Sequence, residues 1–235
     1  NAPILLEQEQ YRRLALHERA EAIERAVFSQ ADGLVCVSSE VRDYAITKGA
    51  NPGRAIIVGN AVDTTRFHAA VPPMDFGIPD GAFTIGFSGS LKRWHGVDVM
   101  MEAFRMILRA APQARLLVIG EGPERGWIEG FARGAGIESS VTMAGWIGHA
   151  QMPAALTAMD VALAPYPETE DFYFSTLKVF EYLAAGRVMV ASRIGQIAEV
   201  IRHDETGILT PPGNADAIAE AVLGVMADPL RMRCL

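Results

Sequence analysis

Short apolar runs and longer stretches of helical spacing alternate along most of this chain. Runs at 83–88, 115–119, 160–164, 188–191 and 207–210 are each bounded by glycine, proline or polar residues. A weaker run, Val141-Thr142-Met143-Ala144, belongs with them. Between them lie helical patterns at roughly 96–111, 123–134, 149–158, 176–186 and 214–227, the first carried by Val97, Met100, Met101, Phe104, Ile107 and Leu108. Strands apolar on both faces, separated by helices, are those of a parallel sheet covered on both sides. The predicted fold class is therefore α/β, a Rossmann-like parallel sheet with helices on both faces, preceded by a partial second α/β lobe.

That partial lobe is read from the first seventy residues. The first thirty form one amphipathic helix, with Leu14, Ile23, Val27 and Phe28 among its apolar positions. Leu34 to Val37 is a strand, and Ser38 or Ser39 caps a helix that Gly49 closes. Ala55 to Val58 is a second strand and Asn60 to Asp63 a turn. Residues 69–82 hold Pro72, Pro73, Pro79 and two glycines, so the domain boundary falls here. This divides the chain into 1–70, a linker at 71–82, and a Rossmann-like unit at 83–235.

Composition narrows the partners. A formal net charge of −7 argues against a nucleic-acid binder, because phosphate backbones attract basic faces. Of the two cysteines, Cys36 sits in an apolar run as a structural thiol, and no disulfide framework is implied, so a cytoplasmic setting is expected. No apolar stretch is long enough to span a bilayer and no signal-peptide pattern opens the chain. The chain starts at Asn1 and stops at Leu235 just after a predicted helix, so both ends are expected to be cut.

In an open parallel sheet, ligands bind beyond the carboxyl ends of the strands, and four such loops stand out. Ser88 to Gly96 contains Gly89, Ser90, Lys92, Arg93 and His95. Small residues with cations suit a diphosphate; a solvated basic turn is the plainer reading. Gly120-Glu121-Gly122-Pro123-Glu124-Arg125-Gly126 only superficially resembles a dinucleotide fingerprint. Its third glycine is displaced by Arg125 and no acidic residue closes the next strand, so NAD is disfavoured and the glycines read as a tight turn at the pocket rim. In Gly145-Trp146-Ile147, Trp146 either walls a base pocket or belongs to the core.

The fourth loop opens a helix. Ser175 is a candidate cap, and the first-turn N–H groups near Thr176, Leu177 and Lys178 favour an anion. Glu181, one turn further in, either accepts two hydrogen bonds from a ribose diol or is a solvated partner of Lys178. Asp-x-Asp is absent, which disfavours transferases that grip diphosphate through a divalent ion. His-Glu-x-x-His, Cys-x-x-Cys, the lysine P-loop and Gly-x-Ser-x-Gly are absent too. No metal and no cofactor are expected.

Together these stretches resemble the retaining glycosyltransferases of family four, which have the two-lobed GT-B fold. Asn60-Ala61-Val62-Asp63 with Phe67 resembles that family's inter-lobe junction, and Gly120-Glu121-Gly122-Pro123 its Gly-Asp/Glu-Gly-Pro turn. Asp160 through Pro165 and Glu181 through Ser192 match two further family stretches. The resemblance implies sugar transfer from a nucleoside-diphosphate donor to an acceptor hydroxyl, with retention and without a metal. It gives Glu181 the ribose, sets Lys92, Arg93 and His95 toward the diphosphate, and places Trp146 and Ile147 at the base. Many members have Glu-x7-Glu, whose first glutamate is Tyr173 here, and the family's first-loop arginine and lysine are Ser90 and His95. Lys92 and Lys178 replace the lost charge, as in a subgroup with Phe-Tyr-Phe-Ser-Pro-Leu-Lys at this place. Glycan, lipid or small-molecule acceptors are all open, as is peripheral membrane contact through the missing lobe. The fragment is expected to bind donor without turning it over. A nucleotide-sugar 2-epimerase and a non-catalytic nucleotide-sugar-binding module are the alternatives.

Overall fold

The computed structural model describes residues 16–169, 172 and 175–235. The chain divides into two compact units, Asn1–Ala61 with Thr169–Thr176, and Val62–Glu168 with Leu177–Leu235. In the first, α1 (His17–Gln30), β1 (Leu34–Cys36), α2 (Ser39–Thr47) and β2 (Ala55–Ile57) follow one another. β1 and β2 pair in parallel, Leu34 opposite Ala55. Ser38 proves to be the cap, its side chain accepting the Val41 N–H at 3.3 Å. Tyr44 ties α2 to α1 by donating to Glu24 at 2.6 Å and packing edge-on against Phe28. Of the predicted apolar stripe of the first helix, Phe28 is half-buried while Ile23 and Val27 are exposed; Leu14, with residues 1–15, lies outside the described residues. Asn60 Nδ2 donates to the carbonyl and hydroxyl oxygens of Ser175, both at 2.9 Å.

The second unit is a six-stranded, all-parallel sheet. Its strands are β3 (Phe83–Ser88), β4 (Ala114–Ile119), β5 (Val141–Gly145), β6 (Val161–Ala164), β7 (Val188–Ser192) and β8 (Ile208–Thr210). The helices are α3 (Val97–Ala110), α4 (Arg125–Gly134), α5 (Met152–Thr157), α6 (Leu177–Ala184), α7 (Gly195–Val200), α8 (Ala215–Ala227) and α9 (Pro229–Cys234). All six predicted strands are present, which establishes the α/β class. The predicted helix at 149–158 shortens to α5, and α7 and α9 are additions. Six-residue helices are under two turns, too short for a periodic signal.

Strand order is β5-β4-β3-β6-β7-β8. This is the doubly wound arrangement, whose order reverses between β3 and β6. Ile85, Phe87, Leu116, Val118, Val161, Leu163 and Val190 point from the sheet into one core with Met100, Phe104 and Ile107 of α3 and Ile218, Val222 and Val225 of α8. Leu117, Ala162, Met189 and Ala191 are equally buried, so intervening positions are covered as well. Residues 71–82 run along this unit, where the Met74 N–H donates to the Ala154 carbonyl. Cys36 and Cys234 are both free thiols, the first buried. Among the described residues, no helix is long and apolar enough to cross a membrane.

Candidate functional site at the β3–β6 switch point

The two edges of β3 behave differently. Toward β4, pairing continues past the strand end: the Gly89 N–H donates to Ile119, Leu91 to Glu121, and Glu124 back to Leu91, at 2.9–3.0 Å. The loop after β3 therefore lies along the loop after β4. Gly120 adopts φ +131°, and a Cβ there would overlap the Gly89 carbonyl oxygen. The Gly120 and Gly122 pair thus does more than form a turn at the rim: it admits the neighbouring loop's backbone.

Toward β6, β3 is paired only at Ile85 and Gly86. Beyond that the strands part, and α6 faces the opening. Lys178, its second residue, directs Nζ over the Phe87 ring at 4.2 Å and near the Tyr166 ring at 5.4 Å. A Cβ on Gly89 would come 2.8 Å from that nitrogen and push the lysine end aside, and the φ of +145° itself disfavours any side chain there. Lys178 as a residue is part-exposed, yet Nζ is enclosed and has no hydrogen-bond partner among the described residues. Burial pulls its pKa down to about 7, against the opposing pull of Glu181.

His95 closes the same loop. Its Nδ1 lies 2.7 Å from the Ser90 carbonyl oxygen and its ring packs edge-on against Tyr166. Only a protonated Nδ1 can donate to that carbonyl, which sets the tautomer. Burial first, then the charge of Lys178, hold its pKa down to about 3. The positive charge expected at His95 is therefore corrected: a ring that is desolvated beside an ammonium stays neutral. Lys92 lies over the Trp94 ring at 4.5 Å, and Arg93 is exposed, 3.8 Å from Glu124. These two cations sit at the loop's rim, whereas Lys178 is inside.

Glu181 follows one turn after Lys178 and is only 9% exposed. Burial raises its carboxyl pKa, opposed by His149 and Lys178. A solvated surface pair with Lys178 is thereby excluded. Trp146 is 77% exposed and Ile147 is half-buried, so neither is core. Trp146 follows β5, two strands from β3, or roughly 10 Å at ordinary strand spacing. Leu177 is part of the first turn of α6; Thr176, buried, ends the segment belonging to the first unit. Tyr173 lies outside the described residues.

The sequence reading missed the aromatic surroundings of Lys178. Phe87 looked like strand core and Tyr166 followed a proline outside every motif. Tyr182 lay inside a helical pattern, with nothing local to indicate that its hydroxyl meets Ser88. The Ser192 hydroxyl donates to the Tyr166 carbonyl at 2.7 Å and holds the loop after β6. Geometrically, the site offers an enclosed ammonium, a helix N-terminus and small-residue backbone at one point, with a buried carboxylate one turn deeper. Such a set has the chemistry to take an anion joined to a hydrogen-bond donor.

Comparison with known proteins bears on this arrangement. The chain is 28% identical over 218 residues to glycogen synthase of Mycobacterium tuberculosis, covering 92% of this chain and 50% of that protein. It is 27% identical over 220 residues to the 2-deoxystreptamine glucosyltransferase of Streptomyces kanamyceticus, covering 91% and 56%. The chain thus spans about half the length of these curated relatives. In fold it is similar to Anabaena Alr3699/HepE, crystallised in complex with UDP and glucose, at TM-score 0.78 and 19% identity, covering 92% of this chain and 60% of that one. Residues 82–228, more than half of the chain and all six strands around the switch point, match the family of glycosyl transferases group 1, and the chain belongs to that family.

Proposed function

We propose that the crevice between β3 and β6 binds a nucleoside-diphosphate sugar, and that the intact protein transfers the sugar to an acceptor hydroxyl with retention of configuration. The observation that carries this reading is Lys178: an enclosed ammonium without a hydrogen-bond partner among the described residues, beside Gly89 and in the first turn of α6. A buried cation is costly unless an anion completes it. A diphosphate between Gly89, Ser90 and the N–H groups of Leu177 and Lys178 would do so, with Thr176, Lys92 and Arg93 at the margin. Glu181 then takes the ribose diol, and Trp146 with Ile147 borders the base. That UDP is held by a relative of the same fold supports a nucleotide in this crevice.

Charge grows on the departing diphosphate as the glycosidic bond breaks, and preorganised donors lower that barrier without needing reorganisation. Lys178 and the α6 dipole fill this role in a metal-independent mechanism. Neutral His95 orients the loop through Ser90 rather than adding charge. Because the curated relatives are about twice as long, we infer that this polypeptide binds donor without turnover and that catalysis needs the rest of the protein.

Titration calorimetry with UDP, GDP and ADP tests the reading and identifies the base. Glu181→Ala should weaken the preferred nucleotide about tenfold, as for loss of a charge-assisted hydrogen bond, while leaving inorganic pyrophosphate binding unchanged. Equal affinity of the variant and the native chain for nucleotide would remove Glu181 from the site. Absence of binding by any of the three nucleotides would overturn the reading as a whole.

A further inference from the structure

On the side of β3 that faces β6, side chains supplement the strand pairing at both ends. At the start, the Thr84 carbonyl accepts the Asp160 N–H at 2.8 Å, and the Thr84 N–H donates to the Asp160 carboxylate at 2.7 Å. In a parallel strand, alternate residues face the same neighbour. Thr84, Gly86 and Ser88 therefore all face β6. Gly86 is opposite Ala162, but by Ser88 the strands have separated and no β6 carbonyl is opposite. There the Tyr182 hydroxyl accepts the Ser88 N–H at 2.7 Å and bonds the Ser88 hydroxyl at 3.0 Å. Ser88 and Tyr182 are buried, and desolvation raises the phenol pKa far above the ordinary tyrosine value, so the hydroxyl stays protonated.

Tyr182 and Lys178 are one helical turn apart on α6. Lys178 Nζ lies beside Gly89 and the Tyr182 hydroxyl bonds Ser88, so successive turns of the helix meet successive residues at the end of β3. We propose that Tyr182 is a positioning residue for the diphosphate pocket: its hydroxyl replaces the absent strand partner of Ser88 and sets the backbone of Ser88 and Gly89 where the distal phosphate binds. This rests on the assignment of the crevice to a nucleoside diphosphate. An unpaired buried N–H would be the alternative at this point, and a strand end left so would shift to recover a partner. Tyr182 touches neither donor nor acceptor, and acts through the loop.

The test compares UDP with UMP by calorimetry on the full chain and its Tyr182→Phe variant, which keeps the ring and deletes one oxygen. The expected result is a fall in UDP affinity of roughly three- to tenfold, the size of one lost hydrogen bond, with UMP affinity changed less than twofold. A purely structural tyrosine would lower the melting temperature and move both ligands together, or neither; either result overturns the proposal. Amide hydrogen exchange of Ser88 in the native chain gives a readout that does not depend on the variant folding. Slow exchange supports the bond to Tyr182, and exchange as fast as that of an open loop refutes it. Native chain that binds neither ligand would instead overturn the crevice assignment, and this inference with it.

Discussion

An ammonium enclosed between aromatic rings weakens the folded state, because the unfolded chain keeps it hydrated and protonated. With the pKa of Lys178 drawn down to about 7 from its ordinary 10.5, the unfolded chain holds a proton between these values that the folded chain lacks. Stability from this group therefore rises with pH across that window, and its full penalty is present below pH 7. Lys178→Met should be more stable than the native chain at pH 6 by about 1–3 kcal/mol, the cost of an unsatisfied buried donor. Thermal unfolding should show a gain of several degrees that shrinks toward pH 10. Ligand affinity should run the other way. A diphosphate selects the charged lysine, so above pH 7 binding must take up a proton, and affinity falls by at most about tenfold per pH unit. Calorimetry between pH 7 and 9 should find that slope in the native chain and none in Lys178→Met. A flat native profile would mean that the lysine is already charged without ligand. At this scale the sequence was informative about identity but not ionisation: Lys178, Glu181 and His95 were legible as candidates from their loops, yet which of them carries charge depended on Phe87 and Tyr166, far away along the chain.

Among the elements, the loop after β3 is held by close backbone approach rather than by side-chain packing. A methyl group on Gly120 would meet the Gly89 carbonyl, and its φ of +131° disfavours any side chain independently of space. Gly120→Ala should destabilise the chain by about 1–3 kcal/mol, as overpacking does, and should also weaken UDP by moving Gly89. Chemical denaturation and calorimetry on the same sample check both. Unchanged nucleotide affinity despite the lost stability would separate this loop from the site. The strands themselves were legible because apolar runs of four to six residues between glycine and proline have few other uses. Helix ends were less so. Pro123 and Glu124 fit a helical pattern, yet α4 starts at Arg125 with Glu124 as its cap residue, the Glu124 N–H bonding Leu91 across the loops.

For the molecule as a whole, the buried cluster is drawn from residues of the second unit alone, so no described residue of the first unit contributes to it. A chain shortened to 62–235 should therefore keep the fold of the six-stranded unit, read as an intact cooperative thermal transition and unchanged near-ultraviolet dichroism. Loss of the transition would show that the division is not one of independent stability. In that shortened chain Ser175 loses its two hydrogen bonds from Asn60, and any drop in UDP affinity measures what they contribute through the covalent link to Leu177. The sequence by itself determined the alternation of strand and helix, the class of the sheet, and the strand-end loops where ligands bind, because these follow from local period and from the sterics of glycine and proline. Only the tertiary structure decided the order β5-β4-β3-β6-β7-β8, since strands apolar on both faces carry no mark of their neighbours. That order alone brings residue 89 to residue 178 and Ser88 to Tyr182. Trp146 stands open because it follows an edge strand, and Lys178 is enclosed because its strand neighbours part there.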